Sequence, residues 1–401
     1  MESCVYVDHA ATTPVHPTVA RAMAPFLSDR FGNPSSLYRL GREAQAAVDR
    51  ARDDVAAVLA CRPGEVVFTS GGTESINMAL KGVAFAQQLA GVGNRIVSTV
   101  VEHHAVLHTL EFLERFGFDI VRVGVDAQGR VDPDAVAAAV DAETVLVNVM
   151  LANNEVGAVQ PIAEVAEALQ RRAETIGRKP PLHADAVQAP GQLPLDVNAL
   201  GVDLLSISAH KFRGPKGVGA LFLRRGAPFL AQQSGGGQER ARRAGTENPG
   251  GIVGMAVALE IADQQRDAHV RHVRSLRDHF FARVLDEIPG AVRNGPTDDR
   301  LANNANVGFA GVDGQLLLEA LDAAGIAASS GSACTASSWE PSHVLLAMGA
   351  DQDAAAGSLR CSFGLENSRD DVNLIVERLR EIVPTLRQSH PLTPSVSAPA
   401  Q

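Results

Sequence analysis

Lys211 lies in a sequence context that favours a chemically reactive amine. It follows the apolar run Leu204–Ile207 and precedes a turn rich in glycine and proline at residues 214–219. Ligands of α/β sheets bind at the carboxyl ends of the strands, and partial burial there lowers the pKa of a lysine enough for Schiff-base chemistry. A solvated loop lysine has the same neighbours in sequence and is the commoner case. This segment alone therefore leaves both interpretations open.

A second feature with chemical potential is the glycine turn Gly71–Thr73. Its neighbours predict a strand over Glu65–Ser70 and a helix over Ser75–Gln88. A strand, a glycine turn and a helix start leave unpaired backbone amides at one spot, which suits an anion such as phosphate. The dinucleotide and P-loop glycine patterns are missing from the sequence. An ordinary turn in which Thr73 caps the helix explains the same residues.

Polar side chains also follow other predicted strands, at the points where those strands end. They are Glu102 and His103, Asn153–Glu155, Asp185 and Gln188, and Ser208 and His210. Because parallel strands end at one edge of a sheet, these side chains are expected to lie together. Packing alone explains such a set poorly, so the sequence indicates a polar ligand.

A cofactor with an aldehyde, a pyridine ring and a phosphate would give these residues distinct roles. Lys211 would bind the aldehyde, and Asp185 would keep the pyridine nitrogen protonated so that the ring withdraws electrons. His103 could stack on the ring. The remaining contacts would be Gln188 and Asn154 at the phenolic oxygen, and the glycine turn, Ser208 and His210 at the phosphate.

The elements that must position these residues alternate between strand-like and helix-like runs from residue 65 to residue 223. This alternation favours an α/β fold with a mostly parallel sheet and helices on both faces. A long helical region from Gly251 to about Ile288 then leads into a smaller α+β part, with strands predicted over Ala305–Phe309 and Ser358–Phe363. Helices are predicted there over residues 314–324, 343–348 and 371–386. The proline- and serine-rich residues 389–401 are predicted to be disordered.

The composition is that of an ordinary soluble globular protein. With 401 residues, of which 45% are hydrophobic and 20% charged, the chain is long enough for two domains. Its formal charge of −10 argues against a nucleic-acid surface. The cysteines show no CxxC spacing, so no zinc ribbon, disulfide framework or other metal site is expected. Neither a leader peptide nor a membrane-spanning run is visible, and a cytoplasmic protein without membrane contact is expected.

Several segments follow one another in the order typical of one enzyme family. Over roughly residues 5–385 the chain resembles the cysteine desulfurases of the NifS/IscS kind, within the class V group of pyridoxal-phosphate enzymes. The segments are YVDHAATTPVHP, FGNPSS, FTSGGTES, VEHHAVL, ANNEVGAVQPI, HADAVQ, SAHKFRGPKGVGAL, GGGQERARRAGTEN and SSGSACTASSWEPSHVLLAMG.

The resemblance implies fold type I, with a mostly parallel seven-stranded sheet, and a homodimer. A large domain over residues 15–258 would bind pyridoxal 5'-phosphate, and a small domain over residues 1–14 and 259–388 would carry the reactive cysteine. The implied reaction removes sulfur from L-cysteine and gives L-alanine and a persulfide on the protein. The implied sulfur acceptors are iron–sulfur scaffold proteins and tRNA-thiolation enzymes, and the sequence does not choose between them.

By position, Lys211 resembles the lysine that binds the cofactor in this family, and Asp185 resembles the partner of the pyridine nitrogen. His103 matches the stacking histidine, which is also a proposed acid or base. Thr246 matches a threonine that reaches the phosphate from the neighbouring subunit. The other matched cofactor contacts are Gly72, Thr73, Asn154, Gln188, Ser208 and His210.

Arg360 matches the arginine that pairs with the substrate carboxylate, a role that suits a bidentate guanidinium, and Asn33 is expected to be a second contact. Cys334 lies in the small, polar segment Ser329–Ser338. On composition such a cysteine is more often inert, but the resemblance makes it the thiolate that takes the sulfur and transiently contacts an iron–sulfur cluster on a partner. Alternation along a strand points Cys361 away from Arg360 and into the core.

Three other functions remain open at this point. A class V aminotransferase would use Lys211 and Asp185 without needing Cys334. A selenocysteine lyase would share the motifs and differ only in its preferred substrate. A non-catalytic sulfur-transfer scaffold would not need the lysine, the aspartate and the cysteine together, so it is the least favoured of the three.

Overall fold

A computed structural model describes residues 4–330 and 341–389 of the chain. The strands are β1 (Val5–Tyr6), β2 (Val66–Thr69), β3 (Arg95–Thr99), β4 (Asp119–Val123), β5 (Thr144–Asn148), β6 (Leu182–Asp185), β7 (Leu204–Ser208), β8 (Gly219–Leu223), β9 (Ala291–Arg293), β10 (Asn304–Phe309), β11 (Ile326–Ala327) and β12 (Ser358–Ser362).

The helices alternate with these strands, and α2, α6 and α8 pack on one face of the larger sheet while α3 and α4 pack on the other. They are α1 (Pro17–Met23), α2 (Arg39–Val58), α3 (Gly72–Leu89), α4 (His104–Glu114), α5 (Pro133–Ala139), α6 (Ile162–Ile176), α7 (Gln238–Ala241), α8 (Pro249–Gln264), α9 (Arg266–Glu287), α10 (Gly314–Ala323), α11 (His343–Ala347), α12 (Gln352–Ala356) and α13 (Arg369–Ser389). In the described ranges no helix is both long enough and apolar enough to cross a membrane.

The larger sheet has seven strands in the order β2-β8-β7-β6-β5-β3-β4, and only β8 runs against the others. This confirms the predicted mostly parallel seven-stranded sheet. Every residue of β5, β7 and β8 is buried, as expected for strands covered by helices on both faces. The carboxyl ends of β5, β6 and β7 therefore meet at one edge of the sheet, where the predicted polar residues follow.

Alternate residues of these strands enter two separate apolar cores. Val97 and Leu205 face the core shared with α2, α6 and α8, whereas Ile96 and Leu204 face the core shared with α3 and α4. Because each fully buried side chain of this size contributes roughly 1.5–3 kcal/mol, the sheet is a rigid platform for the residues at its edge.

A smaller sheet is built from residues on the C-terminal side. In it β10 lies between β9 and β12 and is antiparallel to both. Its core contains Phe280, Phe309 and Phe363 together with Val7 from the start of the chain. The N-terminal segment enters this core because β1 pairs in parallel with β11. Residues that follow β1 are thereby placed between the two parts of the molecule.

One predicted element is wrong. The helical region expected from Gly251 to about Ile288 is two helices, because Gln265 leaves the helical backbone at φ −96° and ψ 0° and separates α8 from α9. Ser389, the first residue of the predicted disordered tail, is the last residue of α13, whereas Cys334 and residues 390–401 lie outside the described residues.

Candidate active site

A cavity lies at the carboxyl ends of β5, β6 and β7 and at the first turns of α3 and α4. It is lined by most of the residues that the sequence predicts for a cofactor site, together with Arg360 from the smaller sheet. These residues are Gly72, Thr73, His103, Asn154, Asp185, Gln188, Ser208, His210, Lys211 and Arg360. Alignment of the parallel strand ends predicts that the residues after β5, β6 and β7 lie together, whereas Arg360 joins them from the smaller sheet.

Lys211 occupies the short 3-10 turn Ala209–Lys211, directly after β7. Its Nζ donates hydrogen bonds to the carbonyl oxygens of Ala10 and Ala11, at 2.6 and 2.8 Å. Gln188 Nε2 donates to the same Ala10 oxygen at 3.0 Å. The segment after β1 therefore forms one wall around the lysine, and sequence reasoning did not identify this role.

Asp185 is the last residue of β6 and is 4% exposed. Its Oδ1 accepts a hydrogen bond from the backbone amide of Val187 at 3.0 Å. Burial raises the pKa of this carboxyl to about 6, although the nearby Lys211 charge opposes the rise. A buried carboxylate is costly without a cation beside it, so the site favours a positively charged ring atom next to Asp185.

His103 is the N-cap of α4, and its Nδ1 accepts a hydrogen bond from the amide of Ala105 at 3.0 Å. Burial, followed by the Lys211 charge, lowers the pKa of the imidazole to about 4. The ring is therefore neutral at pH 7, and the cap assigns its hydrogen to Nε2. A neutral ring in this position can stack or donate from Nε2, but its Nδ1 is already engaged.

The glycine turn is closely packed. α3 begins at Gly72, earlier than predicted, so the amides of its first turn have no partner inside the helix. A Cβ on Gly72 would lie 2.8 Å from Val187 Cγ2 and 3.3 Å from Ser208 Cβ, so a larger residue there would require the Val187 side chain to shift. The N-cap is Gly71, without a side-chain hydrogen bond, so Thr73 does not cap the helix. The predicted alternative in which Thr73 caps the helix is therefore wrong.

His210 directly precedes Lys211 in the chain and lines the same cavity as the glycine turn. Its Nδ1 is 3.1 Å from Thr12 Oγ1. Burial lowers the pKa of its imidazole to about 4, and the charges of Lys211 and Lys216 act in the same direction. Like His103, this histidine is therefore neutral at pH 7 and can donate a hydrogen bond without a charge.

Arg360 reaches the cavity from β12, with its side chain 4% exposed. Nη2 donates to Asp8 Oδ1 at 2.7 Å and Nη1 donates to the carbonyl oxygen of Asn154 at 3.0 Å. Its Nε is buried without a hydrogen-bond partner. An unused, buried N–H on a guanidinium is unfavourable, so this group is suited to an incoming carboxylate. Asp8 was not singled out from the sequence.

Two glutamates that the sequence placed among the ligand-facing residues do not line the cavity. Glu102 is fully buried, and its Oε1 accepts hydrogen bonds from Thr99 Oγ1 at 2.8 Å and from the amide of Met150 at 2.9 Å. Glu155 accepts a hydrogen bond from the hydroxyl of Ser342. Burial raises the pKa of Glu102 to about 8 and that of Glu155 to about 7. Glu102 therefore holds the backbone at Met150, and Glu155 holds the start of α11 through Ser342.

Two predicted site residues lie elsewhere. Asn33 is exposed in the loop before α2, and its Oδ1 accepts a hydrogen bond from the amide of Ser35 at 2.9 Å. Thr246 is exposed in the loop before α8. Neither residue lines the cavity. Cys334 lies outside the described residues, whereas Cys361 is fully buried in the smaller core, as predicted.

Comparisons with known proteins agree with this geometry. Residues 5–375 match the family model described as Aminotransferase class-V. The chain is 46% identical to the cysteine desulfurase IscS of Dictyoglomus turgidum over 98% of its own length and 97% of that protein. It is also 46% identical to the cysteine desulfurase IscS of Methanosarcina thermophila, over 97% of this chain and 94% of that protein.

Solved structures give the same result. A structure described as a NifS-like protein superposes with a TM-score of 0.88 at 38% identity, covering 96% of this chain and 100% of that chain. A structure described as SspA in complex with cysteine has a TM-score of 0.78 at 34% identity, covering 90% of this chain and 99% of that chain.

Proposed function

This chain belongs to the class V aminotransferase family, among its cysteine desulfurases, and we propose that it removes the sulfur of L-cysteine with the help of pyridoxal 5'-phosphate. The products are L-alanine and a persulfide on Cys334. The observation that carries the proposal is that Lys211 and the buried carboxylate of Asp185 line one cavity beside a glycine turn that can hold a phosphate.

The residues of the cavity fit this cofactor. The first amides of α3 and the hydroxyls of Thr73 and Ser208 supply neutral donors for a phosphate. The buried carboxylate of Asp185 is matched to a protonated ring nitrogen, and Lys211 is the amine that would hold the aldehyde carbon. When bound, pyridoxal phosphate supplies an electron sink for charge that develops on the substrate.

Lys211 is the residue that we assign to proton transfer at the substrate Cα. The amine is carried by a flexible four-carbon side chain. Its Nζ donates to the carbonyl oxygens of Ala10 and Ala11, on the segment after β1. His103 is less suited to act as a base because its Nδ1 already accepts from Ala105 and its Nε2 carries the hydrogen. We therefore assign His103 to ring stacking and to hydrogen-bond donation from Nε2.

Arg360 would orient the substrate, because its unused Nε can donate to the α-carboxylate. The thiolate of Cys334 would then attack the substrate sulfur. An S–S bond forms as the C–S bond breaks, the electron pair stays on the substrate carbon, and that carbon takes a proton to become the methyl group of alanine.

The protein is proposed to act as a homodimer in which the partner subunit's Thr246 completes the phosphate site. Large apolar side chains before α2 support this: Leu27 is 77% exposed, Phe31 68%, Leu37 88% and Tyr38 60%, and clusters of this kind mark interfaces. Asn33 lies in the same loop, so its role as a second carboxylate contact is also proposed. The separate cores support a large and a small domain, although Leu259 of α8 packs in the larger core, on the other side of the predicted boundary after residue 258.

A cytoplasmic location and transfer of the persulfide sulfur to an iron–sulfur scaffold or another acceptor protein are further parts of the proposal. Both rest on the similarity to the cysteine desulfurase family.

The test is to incubate purified protein with pyridoxal phosphate, L-cysteine and a thiol acceptor and to measure alanine and sulfide. Equal amounts of alanine and released sulfur are expected. Transfer of the amino group to a keto acid in place of sulfur release would favour an aminotransferase. A much higher rate with selenocysteine than with cysteine would favour a selenocysteine lyase.

A further inference from the structure

A buried ion pair lies under the loop that carries Thr246. Arg52 of α2 and Glu239 of α7 form two parallel hydrogen bonds of 2.7 Å, with their side chains 7% and 2% exposed. Glu239 Oε2 also accepts from the amide of Phe68 at 3.0 Å, and the Arg52 guanidinium lies 4.7 Å from the centre of the Phe68 ring. Both carboxylate oxygens are therefore fully engaged.

The backbone at this ion pair is in an unusual conformation. Glu239, Arg240 and Ala241 have φ values of 48°, 57° and 61°, which places three consecutive residues other than glycine in the left-handed region. Residues with a Cβ are unfavourable there, and such conformations persist only where surrounding contacts impose them. Glu239, the first of these three residues, provides such contacts through its bonds to Arg52 and to the amide of Phe68.

The rest of the loop is attached to the same subunit. Arg242 donates to the carbonyl oxygen of Gly64 at 2.6 Å, and Arg243 Nε donates to Glu74 Oε1 at 2.9 Å. Gly245 N donates to Gln238 Oε1 at 3.1 Å. The arginines of this segment therefore serve as anchors, whereas Thr246, between these anchors and α8, stays exposed.

From these contacts we infer that the Arg52–Glu239 ion pair sets the shape of the loop at residues 237–247 and thereby positions Thr246 for the cofactor phosphate of the partner subunit. Glu239 is thus a positioning residue that acts on the active site of the partner subunit and not on the active site of its own subunit. The inference rests on the proposed function, because it requires the cofactor and the dimer, but its test does not require desulfuration.

The first test measures the affinity of the homodimer for pyridoxal phosphate. Glu239→Gln removes the charge and one acceptor, so the dissociation constant should rise by about tenfold, the effect of losing one hydrogen bond to a charged group. Thr246→Val should give a similar rise, and the double variant should be no worse than either. The matched control is Glu43→Gln in the exposed Arg39–Glu43 pair, which should leave the affinity unchanged.

The decisive test uses heterodimers isolated with two affinity tags. One subunit carries Lys211→Ala, so cofactor can be fixed by borohydride only on Lys211 of the other subunit. When Glu239→Gln is on the subunit with intact Lys211, fixation at low cofactor concentration should match that of the Lys211→Ala/wild-type heterodimer. When Glu239→Gln is on the Lys211→Ala subunit, fixation on its wild-type partner should fall.

The opposite pattern, in which Glu239→Gln weakens the site of its own subunit, would overturn the inference and leave the proposed function intact. A wild-type protein that binds no cofactor would overturn both. Should Glu239→Gln fail to fold, Glu239→Asp keeps the charge but is too short for the paired hydrogen bonds. The same two heterodimers with Glu239→Asp should show the same asymmetry, and equal fixation in both would overturn the inference.

Discussion

Lys211 and Ala10 are joined by a 2.6 Å hydrogen bond from Nζ to the carbonyl oxygen, although 201 residues separate them in the chain. With the second bond, to Ala11, the lysine lies between the end of β7 and the segment that follows β1. An amine that holds the cofactor would first have to release these two contacts. This identifies the N-terminal segment as part of the active site.

The first prediction concerns this lysine. Borohydride reduction of protein loaded with pyridoxal phosphate should fix the cofactor on Lys211, and mass spectrometry of the peptides should show it there. Lys211→Ala should abolish the fixation. Lys179→Ala is the matched control because Lys179 is ion-paired with Asp203 on the same domain, away from the cavity. Cofactor fixed on a different lysine in wild-type protein would contradict the assignment.

The second prediction concerns substrate binding by Arg360. Arg360→Lys keeps the charge but loses the planar fork, so KM for cysteine should rise by about 10- to 100-fold, the range for a hydrogen bond to a charged group. Asp8→Asn leaves the arginine in place but weakens the bond that holds Nη2, and we expect a smaller rise. Steady-state kinetics measures both.

The control for these variants is Arg171→Lys, an exposed arginine paired with Asp134, for which KM should not change. If Arg360→Lys lowered kcat and left KM at the wild-type value, Arg360 would not be the carboxylate contact.

The third prediction concerns the buried acid beside His103. Burial raises the pKa of Glu102 from 4.5 to about 8, so its protonated form is favoured in the folded protein. The raised pKa of Glu102 stabilises the folded protein fully below pH 4.5, where the carboxyl is protonated in both states. This stabilisation is lost as the pH rises to about 8, because the unfolded chain loses the proton first. Glu102→Gln stays neutral and keeps an oxygen for Thr99 and Met150, so it should gain stability relative to wild type across this window, by up to about 1.4 kcal/mol per pH unit.

Urea unfolding at several pH values measures this difference. Glu111→Gln, at an exposed position on α4, is the matched control. A difference between Glu102→Gln and wild type that did not change with pH would show that the carboxyl is ionised in the folded protein.

Much of the site could be predicted from the sequence because it depends on local patterns. Lys211, Asp185 and the glycine turn each follow an apolar run, and the parallel sheet places such positions at one edge. The glycine turn at Gly72 could also be predicted, because the sequence places glycine between a strand and a helix. The structure adds that the side chains of Val187 and Ser208 pack closely against Gly72.

The features that could not be predicted depend on contacts between distant segments. Asp8 and Ala10 reach the site only because β1 pairs with β11, and no local pattern marks that pairing. The break at Gln265 was missed because neither glycine nor proline stands between α8 and α9. Thr246 and Asn33 were assigned from the family resemblance, and they lie outside the cavity of the single chain.

The central claim is that Cys334 takes the sulfur. After L-cysteine is added to the loaded enzyme without a reducing thiol, mass spectrometry of the peptides should find one extra sulfur atom on Cys334. Cys361 should stay unmodified, since burial raises the pKa of its thiol to about 12. Cys334→Ala should release no alanine yet bind cofactor normally. Extra sulfur on another cysteine, or wild-type alanine release by Cys334→Ala, would contradict the account.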